Sequence, residues 1–143
     1  MMLCGVFALP SFAQLTVIQD LNFGEFSSRN NNAQYNLTVN PGSAYTYDPA
    51  GFIEISPPQS GIYDIGGFTP SASVASVTVT QNTPLGGVGS VFQMINFQEN
   101  HSPNADPAGV VRVEIGATLQ TSGDTTPYGD ATYAGSVDIM VNF

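Results

Sequence analysis

The sequence predicts an all-β sandwich, and three observations carry that prediction. No stretch of ten or more residues holds a 3.6-residue apolar period. The 15 glycines and 10 prolines punctuate the chain at short intervals, and Val, Ile, Phe, Tyr and Thr dominate the runs between them. Several of those runs alternate apolar and polar residues with a period of two. The cleanest is the last, residues 135–143, with Val137, Ile139, Val141 and Phe143 on one face. Ser136, Asp138 and Asn142 lie on the other, and Met140 is the single departure. An aromatic in register with three apolar residues at a chain end implies a strand that is paired and packed there, because untied ends fray.

Taken in order, the first expected strand is Leu15-Thr16-Val17-Ile18. Residues 21–26 alternate around Gly24, which suggests a bulge or a close backbone approach. Residues 35–39 form a strand that turns at Asn40-Pro41-Gly42, and residues 51–55 form one that ends at Pro57-Pro58. Residues 62–65 close at Gly66-Gly67, and residues 73–80 alternate Val with Thr and Ser. Residues 91–97 are nearly continuously apolar and predict a central strand. A polar loop over 100–109 leads to residues 111–119, in which Val111, Val113, Ile115, Ala117 and Leu119 point inward. A second loop spans 121–128 and leads to the final strand. Eight to ten short strands in this length point to an immunoglobulin-like Greek-key β-sandwich, with a jelly roll as the alternative.

The first residues read as processing rather than fold. Residues 1–12 are almost wholly apolar, and Ser11-Phe12-Ala13 supplies small residues at the two positions a signal peptidase reads. Residues 1–13 are therefore a predicted signal peptide cleaved before Gln14, although they carry no Lys or Arg; the alternative is a buried first strand. The segment is too short to span a bilayer, so no membrane insertion is expected. Cleavage leaves 130 of the 143 residues, which suits a single domain with its own core, residues 20–143 behind a short segment 14–19. Cys4 is the only cysteine and falls in the signal, so the secreted domain is expected to rely on packing or a partner rather than disulfides.

Charge narrows the function classes. Arg29 and Arg112 are the only basic residues against 11 acids, for a net charge of −9. Phosphate recognition needs clustered cations, so nucleic acid is excluded and anionic membrane disfavoured. The chain has no lysine, which removes Lys–Asn isopeptide crosslinks and lysine-acceptor assembly.

Two stretches resemble a known family. Gln19-Asp20-Leu21-Asn22-Phe23-Gly24-Glu25-Phe26 resembles the opening of the DUF4402 family. Val113-Glu114-Ile115-Gly116-Ala117-Thr118-Leu119, followed after a loop by Tyr133-Ala134-Gly135-Ser136-Val137 and on to Phe143, resembles that family's close. The opening also looks like the strand that follows the donor segment in spore-coat-U-like and other chaperone–usher pilins. The resemblance implies a secreted bacterial sandwich, pilus-like assembly and, as partners, further copies of the chain, a periplasmic chaperone and an outer-membrane usher. It implies no catalytic residues.

The chemical constellations are weak. His101 is the only histidine and sits in a loop, and no glycine pattern of a nucleophile elbow surrounds any serine. Asp124 with Asp130, or Glu54 with Asp64, are candidate carboxylate pairs, but 11 acids in a small domain yield such pairs by chance. Asn100, His101, Asn104 and Asp106 offer metal donors without the spacing of a calcium loop. Tyr45 and Tyr47 alternate and belong on one face, as a sugar platform or a core-edge pair. Asn36-Leu37-Thr38 and Asn100-His101-Ser102 match the glycosylation sequon, read here as coincidence. No cofactor, metal or catalytic residue is expected.

The sheet edges are more informative. Leu15, Thr16, Val17 and Ile18 join residues 21–26 through Gln19-Asp20, too short a link for an easy hairpin. The segment either pairs within its own domain or completes the sheet of another copy by β-strand addition. The residues leave the two readings open, and the family resemblance tips them to the second: a non-catalytic subunit of an extracellular bacterial filament. Residues 15–18 are its expected donor strand, and the face of Val137, Ile139, Val141 and Phe143 lines its expected acceptor. The alternative is a monomeric secreted module that binds a glycan or a protein.

Overall fold

The computed structural model describes residues 13–143; the expected signal peptide lies outside the described residues except for Ala13. Ten strands follow: β1 Gln14–Gln19, β2 Glu25–Ser28, β3 Asn36–Val39, β4 Tyr45–Tyr47, β5 Phe52–Ser56, β6 Gly61–Gly66, β7 Ser76–Gly86, β8 Gln93–His101, β9 Val111–Gln120 and β10 Ala134–Asn142. There is no helix among the described residues. The chain is all-β, and its strands pair antiparallel in two packed layers.

β9 organises the first layer. Its inward residues Val111, Val113, Ile115, Ala117 and Leu119 are at most 1% exposed, as their alternation predicts. One edge of β9 pairs with β8. The other is shared: β6 takes Val111 to Ile115 and β3 takes Ala117 to Gln120. β1 then pairs with the far side of β6, and β4 with the far side of β3. Gly116 marks the division between β6 and β3. A Cβ there would run into the backbone of Val39 and Asn40, so only glycine lets the chain leaving β3 cross this point.

The second layer consists of two separate ribbons. β2 pairs with β5, and β10 pairs with β7. The β2–β5 ribbon covers a cluster of Phe23, Leu37, Val39, Phe52, Phe92, Met94, Ala117 and Leu119. The β7–β10 ribbon covers Tyr63, Ile65, Val77, Val79, Val111, Val113 and Ile115. Val137 touches both clusters.

Three elements differ from expectation. The central strand is β9, because β8 gains its second apolar side from a bulge. Two residues, Asn96 and Phe97, stand opposite one between the pairs Ile95–Thr118 and Gln98–Gly116, with Asn96 at φ 49°. The bulge shifts the phase, so Met94 and Phe97 both pack inward. β2 begins at Glu25 rather than at residue 21, because Gly24 adopts φ 79° and passes close to the Ser56 carbonyl. β7 runs beyond residue 80, through Pro84, which sits where its register with β10 shifts.

Candidate functional site

The two ribbons of the second layer do not meet. Between them lies a groove of about 1130 Å³. One wall is the backbone run 20–28, carrying β2, and the other is the run 128–137, which leads into β10. Phe92, Met94 and Leu119 of the core form the floor. β2 pairs only with β5 and β10 only with β7, so each wall of the groove carries a strand with one unpaired edge.

Packed aromatics hold the second wall. Tyr128 stacks on Phe92 with ring centroids 3.9 Å apart, and Tyr133 meets Phe92 edge-on at 5.1 Å. Both hydroxyls are used internally: Tyr128 donates to the Val91 carbonyl and accepts from the Ser122 amide, while Tyr133 donates to Gly129 and Val88 carbonyls. The preceding loop is tied by Asn31, which is 7% exposed. Its amide nitrogen reaches Ser122, Asp124 and the Thr126 carbonyl, and its oxygen accepts from the Gly123 amide. Backbone donation from Thr126 holds the Asp124 carboxyl below its ordinary range, helped by the Ser122 hydroxyl. The Tyr128 and Tyr133 hydroxyls are thus spent inside the protein, while Asp20, Glu25 and Asp130 stand exposed along the groove.

The predicted donor segment is β1. It lies antiparallel along β6 of its own chain, with Leu15 opposite Ile65 and Val17 opposite Tyr63. Opposed residues share a face, so Leu15 and Val17 point to the same side as the buried Ile65 and Tyr63. Yet they remain 58% and 48% exposed, because neither ribbon of the second layer reaches over β1. Ile18, at the bulge between Val17 and Gln19, is 51% exposed. Thr16 is exposed as well. β1 is therefore an edge strand with an uncovered apolar face and no charged residue. Other edges carry protection: β8 turns Glu99 and His101 to the side of Ile115 and Val113, β10 exposes Asp138, and β4 has three residues.

The predicted acceptor residues divide. Val137 lines the groove. Ile139 and Val141 pack onto their own core, opposite Val79 and Val77. Phe143 lies past the end of β10, 51% exposed, with its ring 4.7 Å from that of Phe68. The sequence reading missed the opposite wall, residues 20–28. Gly24 was the available signal, since its close approach to Ser56 pulls this run out of the first layer's path.

The remaining candidates are absorbed in local structure. His101 Nδ1 lies 2.9 Å from the Ser102 carbonyl, Asn104 accepts from Ser73, and Asp106 accepts from the Ala108 and Val110 amides. No group of three or more His, Cys, Asp or Glu converges among the described residues. Glu54 accepts from the Tyr45 hydroxyl, and that bond is the main cause raising the Tyr45 pKa. Tyr45 and Tyr47 do share a face, opposite Val39 and Leu37 at the sheet edge.

Asp64 is engaged by Arg112 in a two-pronged contact of 2.7 and 2.8 Å, which holds its carboxyl below the ordinary range. A depressed folded-state pKa stabilises the fold above the unfolded value, near about 3.9, and that contribution is lost as pH falls through the folded value. Asp64→Asn is therefore expected to lower the denaturation midpoint slightly at pH 7. Urea titrations of both proteins should converge as the pH is taken below the ordinary aspartate range.

Fold and site together define a class: a β-sandwich domain whose second layer is interrupted by an open slot. The family described as "Domain of unknown function (DUF4402)" matches residues 14–143, and the chain belongs to it. No curated protein and no solved structure matches the chain.

Proposed function

We propose that this protein is a non-catalytic structural subunit of a bacterial extracellular filament, similar to a pilin. Subunits join by β-strand addition, with Leu15, Thr16, Val17 and Ile18 as the donor strand. The observation that carries the reading is β1: an uncharged edge strand whose inward-facing Leu15 and Val17 stay about half exposed. Natural sheets avoid leaving such an edge bare, because its unpaired backbone groups recruit another chain. Covering the exposed halves of Leu15 and Val17 contributes on the order of 1 kcal/mol each, added to the main-chain bonds of a second edge. A contact in which one copy gives a strand and the next receives it does not close on itself, so repetition produces a fibre.

Export fits this role: a signal peptide, passage through the periplasm with a chaperone and an outer-membrane usher as partners, and display at the cell surface. The test removes residues 14–19 after the cleavage site. The truncated domain should keep its β-sheet circular dichroism and run as a monomer on gel filtration, with no fibres by electron microscopy. Undiminished fibre yield would sink strand addition through β1. An intact secreted chain that stays monomeric at every concentration points instead to a self-contained binding module.

A further inference from the structure

We infer that a hollow at one end of the sandwich binds an acidic sugar, a pyranose ring carrying one carboxylate, as a residue of a polysaccharide. The inference goes beyond the filament reading and does not depend on it. The hollow measures about 300 Å³, at the lower end of the range for small-ligand sites. The loop after β2 supplies Arg29, Asn30, Asn31 and Asn32, and the loop after β9 supplies Thr125, with Tyr128 beside it. β1 pairs with β6, which takes only Val111 to Ile115 of β9. β1 therefore lies along the first half of β9, whereas the hollow lies beyond its last residue, so strand addition through β1 leaves this surface open.

Charge marks the hollow out. The chain has two cations against 11 acids. Arg112 is spent on Asp64. Arg29 is exposed, and no carboxylate among the described residues forms an ion pair with it. No acid lines the hollow, whereas Asp20, Glu25 and Asp130 line the groove. Asp124, next to Thr125 in the chain, is spent on the Asn31 and Ser122 side chains and the Thr126 amide. A protein this acidic, with its one uncommitted guanidinium in an acid-free hollow, has a place for a single negative charge.

The neighbouring groups select the kind of anion. A guanidinium presents a planar fork of N–H donors that matches a carboxylate. Asn32 Oδ1 accepts from the Tyr35 hydroxyl at 2.7 Å, which leaves its Nδ2 as a further donor. Asn30 Nδ2 donates to the Ala50 carbonyl at 3.2 Å, which leaves its Oδ1 as an acceptor. The Thr125 hydroxyl both gives and takes. A sugar ring uses that mixture, because each of its hydroxyls also donates and accepts. A polyphosphate needs clustered cations, and only one is present. An acidic peptide side chain uses Arg29 alone and leaves the amides and the hydroxyl without partners.

The hollow is built before a ligand arrives. Asn31, 7% exposed, ties its own loop to Ser122, Gly123, Asp124 and Thr126 of the other. Thr125 sits at φ 69°, a left-handed conformation that costs a residue with a branched side chain, and its amide donates to the Asn31 carbonyl at 2.7 Å. The Arg29 amide donates to the Gly51 carbonyl at 2.8 Å.

The test is equilibrium dialysis of a fluorescently labelled galacturonate trimer against the purified chain, which reads monomers and filaments alike. Saturable binding is expected. Arg29→Gln should weaken it at least about ten-fold, the loss of a charge-assisted contact. Asn32→Ala should weaken it about three-fold, the loss of one neutral hydrogen bond. Both residues are exposed, so both variants should keep the circular dichroism of the parent. Arg112→Gln removes the same charge elsewhere and should leave binding unchanged. An equal loss in both arginine variants would mean that net charge, not the hollow, attracts the trimer, and would overturn the site. Absence of saturable binding overturns it too, as does equal binding of neutral maltotriose or of a tri-glutamate peptide. None of these outcomes bears on whether filaments form.

Discussion

Phe92→Ala is expected to lower the unfolding free energy by about 3–5 kcal/mol, the range for removing a fully buried ring. Phe92 is 1% exposed and stands at the centre of three other aromatics. Phe26 meets it edge-on at 5.6 Å, Tyr133 edge-on at 5.1 Å, and Tyr128 stacks on it at 3.9 Å. These contacts tie the β2 side of the slot to its Tyr128–Tyr133 side through the floor. Truncation removes the ring's transfer energy and leaves a void beneath a groove that is already open, where little can collapse inward. For a domain of this size the melting temperature should fall by roughly 10–20 °C. Met140→Ala, at a side chain 62% exposed on the outer face of β10, is the matched control, with a change within about 0.5 kcal/mol. Chemical denaturation of both variants at one pH checks the pair. A Phe92→Ala loss below about 1 kcal/mol would mean that the cluster does not hold the two sides together.

Much of the fold was legible because period-two alternation survives wherever one face of a strand is buried. Residues 111–119 read correctly as a strand, and each inward residue lies where the alternation placed it. Val137, Ile139 and Val141 did the same at the end of the chain, facing the core from β10. The misread elements are those where irregular backbone breaks the period. The run 91–97 looked central because it is continuously apolar, but the bulge at Asn96 and Phe97 places residues of both parities inside. The strand read over residues 73–80 continues through Pro84, because a proline is tolerated where a register shift leaves no ladder bond to donate.

The candidate site was half legible. The bare apolar alternation of Leu15 and Val17 marked β1 as an edge strand with something to bury, and the brevity of Gln19-Asp20 marked it as a strand not hairpinned to its successor. The slot was not legible. It is made by what the second layer lacks, a strand between β2 and β10, and a gap between segments a hundred residues apart leaves no mark on either one. Only the packing of Phe26 and Tyr133 around the Phe92 ring brings those segments together.

Gly116→Val is expected to destabilise the fold at the upper end of the about 1–3 kcal/mol typical of overpacking, or beyond it. The reason is space rather than backbone conformation. Gly116 has no positive φ, but a Cβ would meet the carbonyl of Val39 and the backbone of Asn40, and neither is a flexible side-chain tip. The turn after β3 crosses β9 here and is fastened one step away. Glu114 Oε1 accepts from the Gly42 amide at 2.6 Å and from the Ser60 hydroxyl at 2.8 Å, and the Ser43 hydroxyl accepts from the Ser60 amide at 2.9 Å. Lifting the turn to admit a valine breaks the Gly42–Glu114 and Ser43–Ser60 bonds and leaves the amide of Ser60, which is 1% exposed, without its acceptor. Two other glycines separate the causes. Gly42→Ala has open space but φ 86°, so its cost is the left-handed backbone penalty of about 1 kcal/mol. Gly86→Ala has open space and no positive φ, and should change stability by no more than about 0.5 kcal/mol. Denaturant midpoints should therefore fall in the order Gly86→Ala, Gly42→Ala, Gly116→Val. Gly116→Val should also speed hydrogen exchange at the Gly42 and Ser60 amides. If Gly42→Ala proved as costly as Gly116→Val, backbone strain in the turn, not its close passage over β9, would be what holds β3 and β6 to one edge of the central strand.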